Sequence, residues 1–371
     1  GRDRGGGAVS AMNCSSAATI AAASPSPAAG VTSSMRGRGG FRFPLLPLTA
    51  ADSNLPRMPE VPVFAAEAVL AVVSPAEAVE RTREAFVRHH AGEWEMPAKT
   101  YVEAETGDFR AMPAIGGGLA ILKWVTSFPG NPARGLPVVT GALLASSADT
   151  GELLAIIDCA TVTSLRTGAA AAVSAAALAR EDARTVGIVG CGVNGAWAAR
   201  ALAAIGYGPG VCADARPEAA AALADELGWR TGELAEALAQ DVVVTVTPGI
   251  EPVVRAGDLR PGAHIAALGA DAHAKQELER DALLACRLFC DEWRQASKGG
   301  ELSGAAAAGA ITQADVAELG AVLAGDAPGR TGADEITLFD STGLAIQDLA
   351  IAHAVLERWR AGAIEAPTVR L

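Results

Sequence analysis

The sequence predicts a mixed α/β fold, in which a parallel, doubly wound sheet follows a mainly antiparallel one. Three observations carry this reading. Between 184 and 291, short apolar strands alternate with helices, the rhythm of a sheet whose strands are joined by helical crossovers. Before that, five strand-like pieces between 100 and 158 are parted by glycine turns, which suits antiparallel pairing. Within the alternating stretch, one strand runs into Gly190-Cys191-Gly192-Val193-Asn194-Gly195, and a helix follows.

Composition narrows the function classes. The 371 residues are enough for roughly two to three domains. Thirty Lys and Arg against 42 Asp and Glu give a net charge of −12, which repels phosphate backbones and disfavours nucleic acid as a partner. Half the residues are hydrophobic but only 4% are aromatic, so the core is built from small, close-packed groups. The longest uncharged run, 5–35, is Ala, Ser, Gly and Pro, too polar to insert in a bilayer, and no membrane association is expected. Six scattered cysteines, at 14, 159, 191, 212, 286 and 290, are too sparse for a disulfide scaffold and suggest a reducing compartment. No metal site is expected.

Residues 1–57 are Gly-, Ala-, Ser- and Pro-rich, with five arginines and one acid before position 50. No helical or strand period survives there, so the segment is expected to be disordered. Two readings stand: a targeting peptide, or an extension ahead of a true start at Met58. A cytoplasmic location is expected, or an organelle matrix if the segment is a transit peptide.

The elements follow in order. Ser74-Pro75-Ala76-Glu77 supplies a cap, a first-turn proline and an acid, predicting a helix through Val87. Strands are expected at 100–103, 109–112, 119–126, 138–145 and 153–158. A long Ala-rich helix is expected over 163–179. Strands at 186–189, 211–213, 242–246, 263–268 and 287–290 alternate with helices at 194–205 and 217–227. The tail from about 305 reads as helical, ending in a helix over 344–359.

Gly190 to Gly195 spell GxGxxG between a strand and a helix, the context a dinucleotide-binding loop requires. The first Gly allows the tight turn. The second admits the pyrophosphate. The third lets the helix pack close, its N-terminus facing the anion. Asp214 ends the next strand, where an acid binds the adenosine ribose, and a carboxylate there favours NAD over NADP. Arg216 tempers this, since an arginine there can hold a 2′-phosphate. Val193, Asn194, Thr245 and Thr247 complete the expected cofactor contacts. The bland alternative is a glycine-rich turn with no ligand. It has to explain away the strand, the helix and the acid together.

Four cations precede this segment: Lys99, Arg110, Lys123 and Arg166. Lys99 and Arg110 alone could be solvated residues of a sheet. Lys123 lies in an apolar strand and Arg166 in an Ala-rich helix, where a charge is costly unless used. A guanidinium fork and an ammonium together make a carboxylate clamp.

Several segments in order carry a resemblance: FRAMP at 109–113, LKWVTSFPGN at 122–131, TSLRTGA at 163–169, GCGVNG at 190–195, GADAHAKQE at 269–277, GEL at 300–302 and GLAIQD at 343–348. Over roughly 58–360 the chain resembles the ornithine cyclodeaminase/μ-crystallin family, which also contains archaeal-type alanine dehydrogenases. The resemblance implies a Rossmann domain over 181–305 inserted in an α+β substrate-binding and dimerisation domain made of 58–180 and 306–371, and a homodimer. It implies that Lys123 and Arg166 bind the substrate carboxylate and that Asp271 is the acid/base residue. Ornithine cyclodeaminases resemble each other in having Arg where Lys99 stands and Glu where Arg110 stands. The Lys–Arg pair here looks like the alanine dehydrogenases, and Arg110 would repel ornithine's second ammonium.

The expected function is thus NAD-dependent oxidative deamination of a small L-amino acid, alanine to pyruvate and ammonia, or its reverse. Lys99 and Arg110 would add positive charge for the substrate. The alternatives are an ornithine cyclodeaminase, a cyclic ketimine reductase, or a nicotinamide-binding protein with little catalysis.

Overall fold

The computed structural model describes residues 60–248, 251–270 and 275–371. It opens with β1 (Glu60–Phe64), α1 (Ala66–Val72) and α2 (Pro75–His90). The Ser74 hydroxyl accepts the Glu77 N–H at 3.2 Å, capping α2 as its sequence requires. Five antiparallel strands come next, β2 (Thr100–Ala104), β3 (Gly107–Gly116), β4 (Leu119–Ser127), β5 (Val139–Ser147) and β6 (Leu153–Asp158). With β1 and the C-terminal β15 (Thr368–Arg370) they form a seven-stranded sheet in the order β15-β1-β6-β5-β4-β3-β2.

The long helix α3 (Cys159–Leu178) starts four residues before the expected Thr163. Asp158 is the reason: its carboxylate accepts the Thr161 N–H at 2.7 Å and caps the helix there. Most of α3 is buried, and its small residues let neighbours approach. A Cβ on Gly168 would lie 2.4 Å from the Trp197 carbonyl oxygen on the helix beside it.

The alternating half holds β7 (Val186–Val189), α4 (Val193–Ala204), β8 (Gly210–Ala213), α5 (Pro217–Leu227), β9 (Arg230–Thr231), α6 (Leu234–Leu238), β10 (Val242–Thr245) and β11 (His264–Ala267). After them come α7 (Arg280–Leu284), β12 (Arg287–Cys290), α8 (Trp293–Gly299), α9 (Ser303–Ala307), β13 (Val316–Glu318), α10 (Leu319–Ala324), β14 (Thr337–Asp340) and α11 (Ala345–Arg360). Eight strands form a parallel sheet ordered β13-β12-β14-β11-β10-β7-β8-β9. The reversal of winding around β7 is the doubly wound pattern, and the fold is α/β as the alternation implied.

The tail departs from expectation. It holds three strands as well as helices, and two of them, β13 and β14, carry the parallel sheet past residue 305. β14 sits between β11 and β12, with Phe339 opposite Phe289 and Ala266. Its four residues are buried on both faces, so it lacks the alternation that marks a half-buried strand. Among the described residues no helix is long and apolar enough to cross a membrane.

Candidate active site

The glycine loop follows β7 directly. Gly190 has a φ of +97°, and a Cβ there would lie 2.6 Å from the Val246 carbonyl oxygen. A Cβ on Gly195 would sit 1.9 Å from the Gly190 carbonyl oxygen. Gly192 differs: a Cβ there would meet only Arg216 Nη2, at 3.8 Å, so this position opens outward. Gly192 caps α4 with no side chain, and helix geometry leaves the first-turn N–H groups of Val193, Asn194 and Gly195 without intrahelical acceptors. Val193 is 69% exposed, an apolar side chain displayed at a helix start.

Beside the loop lies a cavity of about 890 Å³ lined by Gly190, Asp214, Pro217, Leu234, Thr247 and Pro248 among others. The Asp214 carboxylate accepts the Cys191 N–H at 2.6 Å and the Arg216 N–H at 2.8 Å. Its place at the end of β8 is thus fixed from both sides. Arg216 stays largely in solvent, 3.4 Å from Asp214.

Thr245 and Thr247 part company. Thr247 lines the cavity, while Thr245 is fully buried and donates its hydroxyl to Glu277 at 2.9 Å. Glu277 also accepts the Thr247 N–H at 2.7 Å and the Gly269 N–H at 2.8 Å, tying together the loops after β10 and β11. Burial pushes its carboxyl above the usual range, and these hydrogen bonds oppose the rise. Glu301 in turn accepts the Glu277 and Leu278 N–H groups at 2.9 and 2.8 Å, and burial raises it to about 7.

The four cations singled out in the sequence converge on a second, smaller cavity of about 80 Å³. Asn194, on the first turn of α4, lines the same space. Strand β4 alternates, with Ile121, Lys123 and Val125 inward and Leu122 and Trp124 outward. Lys123 therefore lies on the core face, 0% exposed, and donates to Asp348 Oδ1 at 2.8 Å. Burial pushes its ammonium below the usual lysine range, Asp348 opposes this, and the neighbouring Arg166 adds to it. Breaking a buried pair of this kind by removing one partner costs about 3–5 kcal/mol.

Arg166 enters from α3. Its Nε lies 3.4 Å from Asp348 Oδ1, and its Nη1 donates to Gln347 Oε1 at 3.5 Å. The guanidinium fits because residue 343 is glycine: its φ is +77°, and a Cβ there would lie 2.4 Å from Arg166 Nη1. Lys99 donates to the Thr342 carbonyl at 2.7 Å. That turn is held by Asp291, which accepts the Gly343 N–H at 2.8 Å and the Thr342 hydroxyl at 3.0 Å. Burial lifts Asp291 to about 6, with the Lys99 charge pulling it down. Arg110 donates through Nε and Nη2 to the two oxygens of Asp108, and its guanidinium carbon stands 5.4 Å from the Tyr101 ring centre.

Charge sums simply. Lys123 and Arg166 share one carboxylate, Asp348, so this buried trio carries one net positive charge. The arrangement can hold one small anion beside the glycine loop. Asp271, the expected acid/base residue, lies outside the described residues. Asp348, Gln347, Asp291, Asp108 and Glu277 were not singled out. For Asp348 a signal existed, an acid inside the apolar run 344–356, within the GLAIQD segment already noted.

The chain matches the family model of the ornithine cyclodeaminase/mu-crystallin family over residues 62–363. It is 42% identical over 305 residues to the alanine dehydrogenase of Archaeoglobus fulgidus, covering 80% of this chain and 95% of that protein. It is 39% identical over 243 residues to the iminosuccinate reductase of Paracoccus denitrificans, covering 62% of this chain and 74% of that one. Its fold is similar to that of an archaeal alanine dehydrogenase dimer with bound NAD, at a TM-score of 0.81 and 40% identity, spanning 84% of this chain and all of that one. With its glycine loop, its buried cation pair and a match that runs nearly the length of the described residues, the chain belongs to the ornithine cyclodeaminase/mu-crystallin family.

Proposed function

We propose that the protein is an NAD-dependent dehydrogenase of a small monocarboxylic amino acid, converting L-alanine to pyruvate and ammonia or running the reverse reductive amination. The observation that carries this is the small cavity beside the dinucleotide loop, walled by Lys123 and Arg166, which with Asp348 carry one net positive charge. Its volume is far below the roughly 300–1,000 Å³ of pockets for drug-sized ligands. One carboxylate with a short side chain satisfies both its charge and its size.

The dinucleotide fits the residues present. The outward Gly192 leaves room for a pyrophosphate, the α4 N-terminus faces it, and Asp214 stands where a ribose hydroxyl would donate. When bound, NAD supplies a hydride acceptor. The protein does the rest. Lys123 and Arg166 hold the carboxylate, and the fork of Arg166 fixes its plane, so Cα is presented in one orientation. Asp271 accepts the proton that the substrate nitrogen loses as the C=N bond forms. It passes that proton to solvent and, as a carboxylate again, takes a proton from the water that adds to that bond and hands it to the nitrogen, which leaves as ammonia while the hydroxyl proton goes to solvent. Lys99 stands ready to stabilise the developing carbonyl oxygen.

The similarity to an iminosuccinate reductase raises a second reading, a dicarboxylate substrate, and Arg110 is the residue that would receive the second carboxylate. Its bidentate bond to Asp108 argues against it. The same seven-stranded sheet exposes Tyr101, Val102, Leu122 and Trp124, and we place the homodimer contact there.

A substrate panel tests the function. Alanine with NAD should yield NADH in proportion to alanine consumed, and ornithine should not. Proline formation from ornithine without NADH accumulation contradicts the reading. Asp271→Asn should abolish turnover and leave NADH binding nearly unchanged.

A further inference from the structure

The two cations that bind the carboxylate come from different elements, Lys123 from β4 and Arg166 from α3. One group reaches both. Asp348, on the first turn of α11, has its Oδ1 2.8 Å from Lys123 Nζ and 3.4 Å from Arg166 Nε. It is 0% exposed, and its neighbours along the helix, Ile346 and Leu349, are as deeply buried. A carboxylate at this depth is costly unless its charge is used. Gln347 beside it takes the other end of the guanidinium and accepts the Leu344 N–H at 3.2 Å, which stiffens that turn of the helix.

We propose that Asp348 is the positioning residue of the carboxylate clamp: it fixes Lys123 and Arg166 relative to each other and leaves the trio with one positive charge, matched to one substrate carboxylate. This rests on reading the small cavity as the substrate-carboxylate site. Without Asp348 two buried cations would face each other. Burial and Arg166 both favour the neutral amine of Lys123, and Asp348 is the chief group opposing them. The other charged or titratable neighbours of this cluster are Cys159 and Asp158 at the start of α3, with Lys99 and Arg110 on the cavity wall. Among the described residues Arg166 Nε and Asp348 Oδ2 have no hydrogen-bond partner, so charge and packing hold the pair.

The test compares kcat and KM between about pH 6 and pH 9 for the wild type, Asp348→Asn and Asp348→Glu. The substrate is whichever amino or keto acid the wild type turns over, and NADH fluorescence reports folding. Wild-type KM should stay flat across this range. Asp348→Asn should bind NADH within about threefold of wild type. Its KM should rise about tenfold or more at pH 7 and climb further toward pH 9, while kcat falls less. Asp348→Glu should restore the flat profile at a raised KM. An Asp348→Asn variant whose KM keeps the wild-type value, or the wild-type pH profile, overturns the proposal. If Asp348→Asn fails to bind NADH, Asp348→Glu decides: a flat profile supports the assignment and a climbing KM overturns it. Failure of the alanine reading shows separately, as a different preferred substrate, and leaves this comparison intact.

Discussion

A Cβ at Gly195 would collide with the Gly190 carbonyl oxygen at 1.9 Å, whereas a Cβ at Gly192 would find open space. The two glycines therefore fail differently. Gly195→Ala should lower the melting temperature of the apoprotein as well as NADH affinity. Gly192→Ala should melt like the wild type and lose NADH affinity about tenfold or more. Thermal melts with and without NADH separate the cases, and equal apoprotein melts would refute the packing argument. The GxGxxG spacing was legible in the sequence because each glycine answers a local backbone demand. Asp108 was not, because its role is to neutralise a cation two residues away, and a pair of exposed-looking strand residues gives no hint of that. Asp108→Asn removes the carboxylate that Arg110 donates to and makes the cavity wall one charge more positive. A partly screened charge pair at about 4 Å is worth a few kcal/mol. Activity toward a dicarboxylate such as oxaloacetate with ammonia should rise relative to pyruvate with ammonia. An unchanged ratio would show that Arg110 does not reach the substrate.

At the scale of elements, His264 ties β11 to its neighbours. Its ring nitrogens pair with Ser174 of α3 at 3.1 Å and Thr337 of β14 at 2.9 Å, and burial holds its pKa down to about 3. The unfolded chain protonates near 6.5 and the folded one does not. The stability from neutral His264 is therefore complete above about pH 6.5 and is lost as pH falls toward 3. At pH 5 the loss is about 2 kcal/mol. Asp291 and Glu301 act oppositely. Their raised folded pKa values, about 6 and about 7, mean that stability increases as pH falls through them toward the unfolded values. The readout is consequently the difference between wild type and His264→Gln in urea midpoint, which should shift in the variant's favour between pH 7 and pH 5. A constant difference would place the His264 titration elsewhere. Strands such as β7 and β12 were readable as short apolar runs. β14 escaped because only Leu338 and Phe339 of TLFD are apolar, so no apolar run marks it in the surrounding tail. The start of α3 moved because a cap at Asp158 outweighs the Thr163 signal.

At the scale of the molecule, the chain brings Lys99 and Arg110 near the front and Lys123 and Arg166 later to one small cavity, and Asp348 close to the end reaches the last two from behind its wall. The cations were legible because charge is rare in an apolar strand or an Ala-rich helix. Their charge balance was not, since Asp291 and Asp348 reach them only through the tertiary fold. The central claim is the balance of Lys123, Arg166 and Asp348: one net positive charge in that trio suits one carboxylate. The most direct measurement is kcat/KM for NADH oxidation with pyruvate and ammonia against oxaloacetate and ammonia, at the same pH and salt. The account predicts that pyruvate is favoured by about tenfold or more, a difference of about 1.4 kcal/mol or greater. A preference for oxaloacetate would show that the cavity carries charge for two carboxylates and would contradict it.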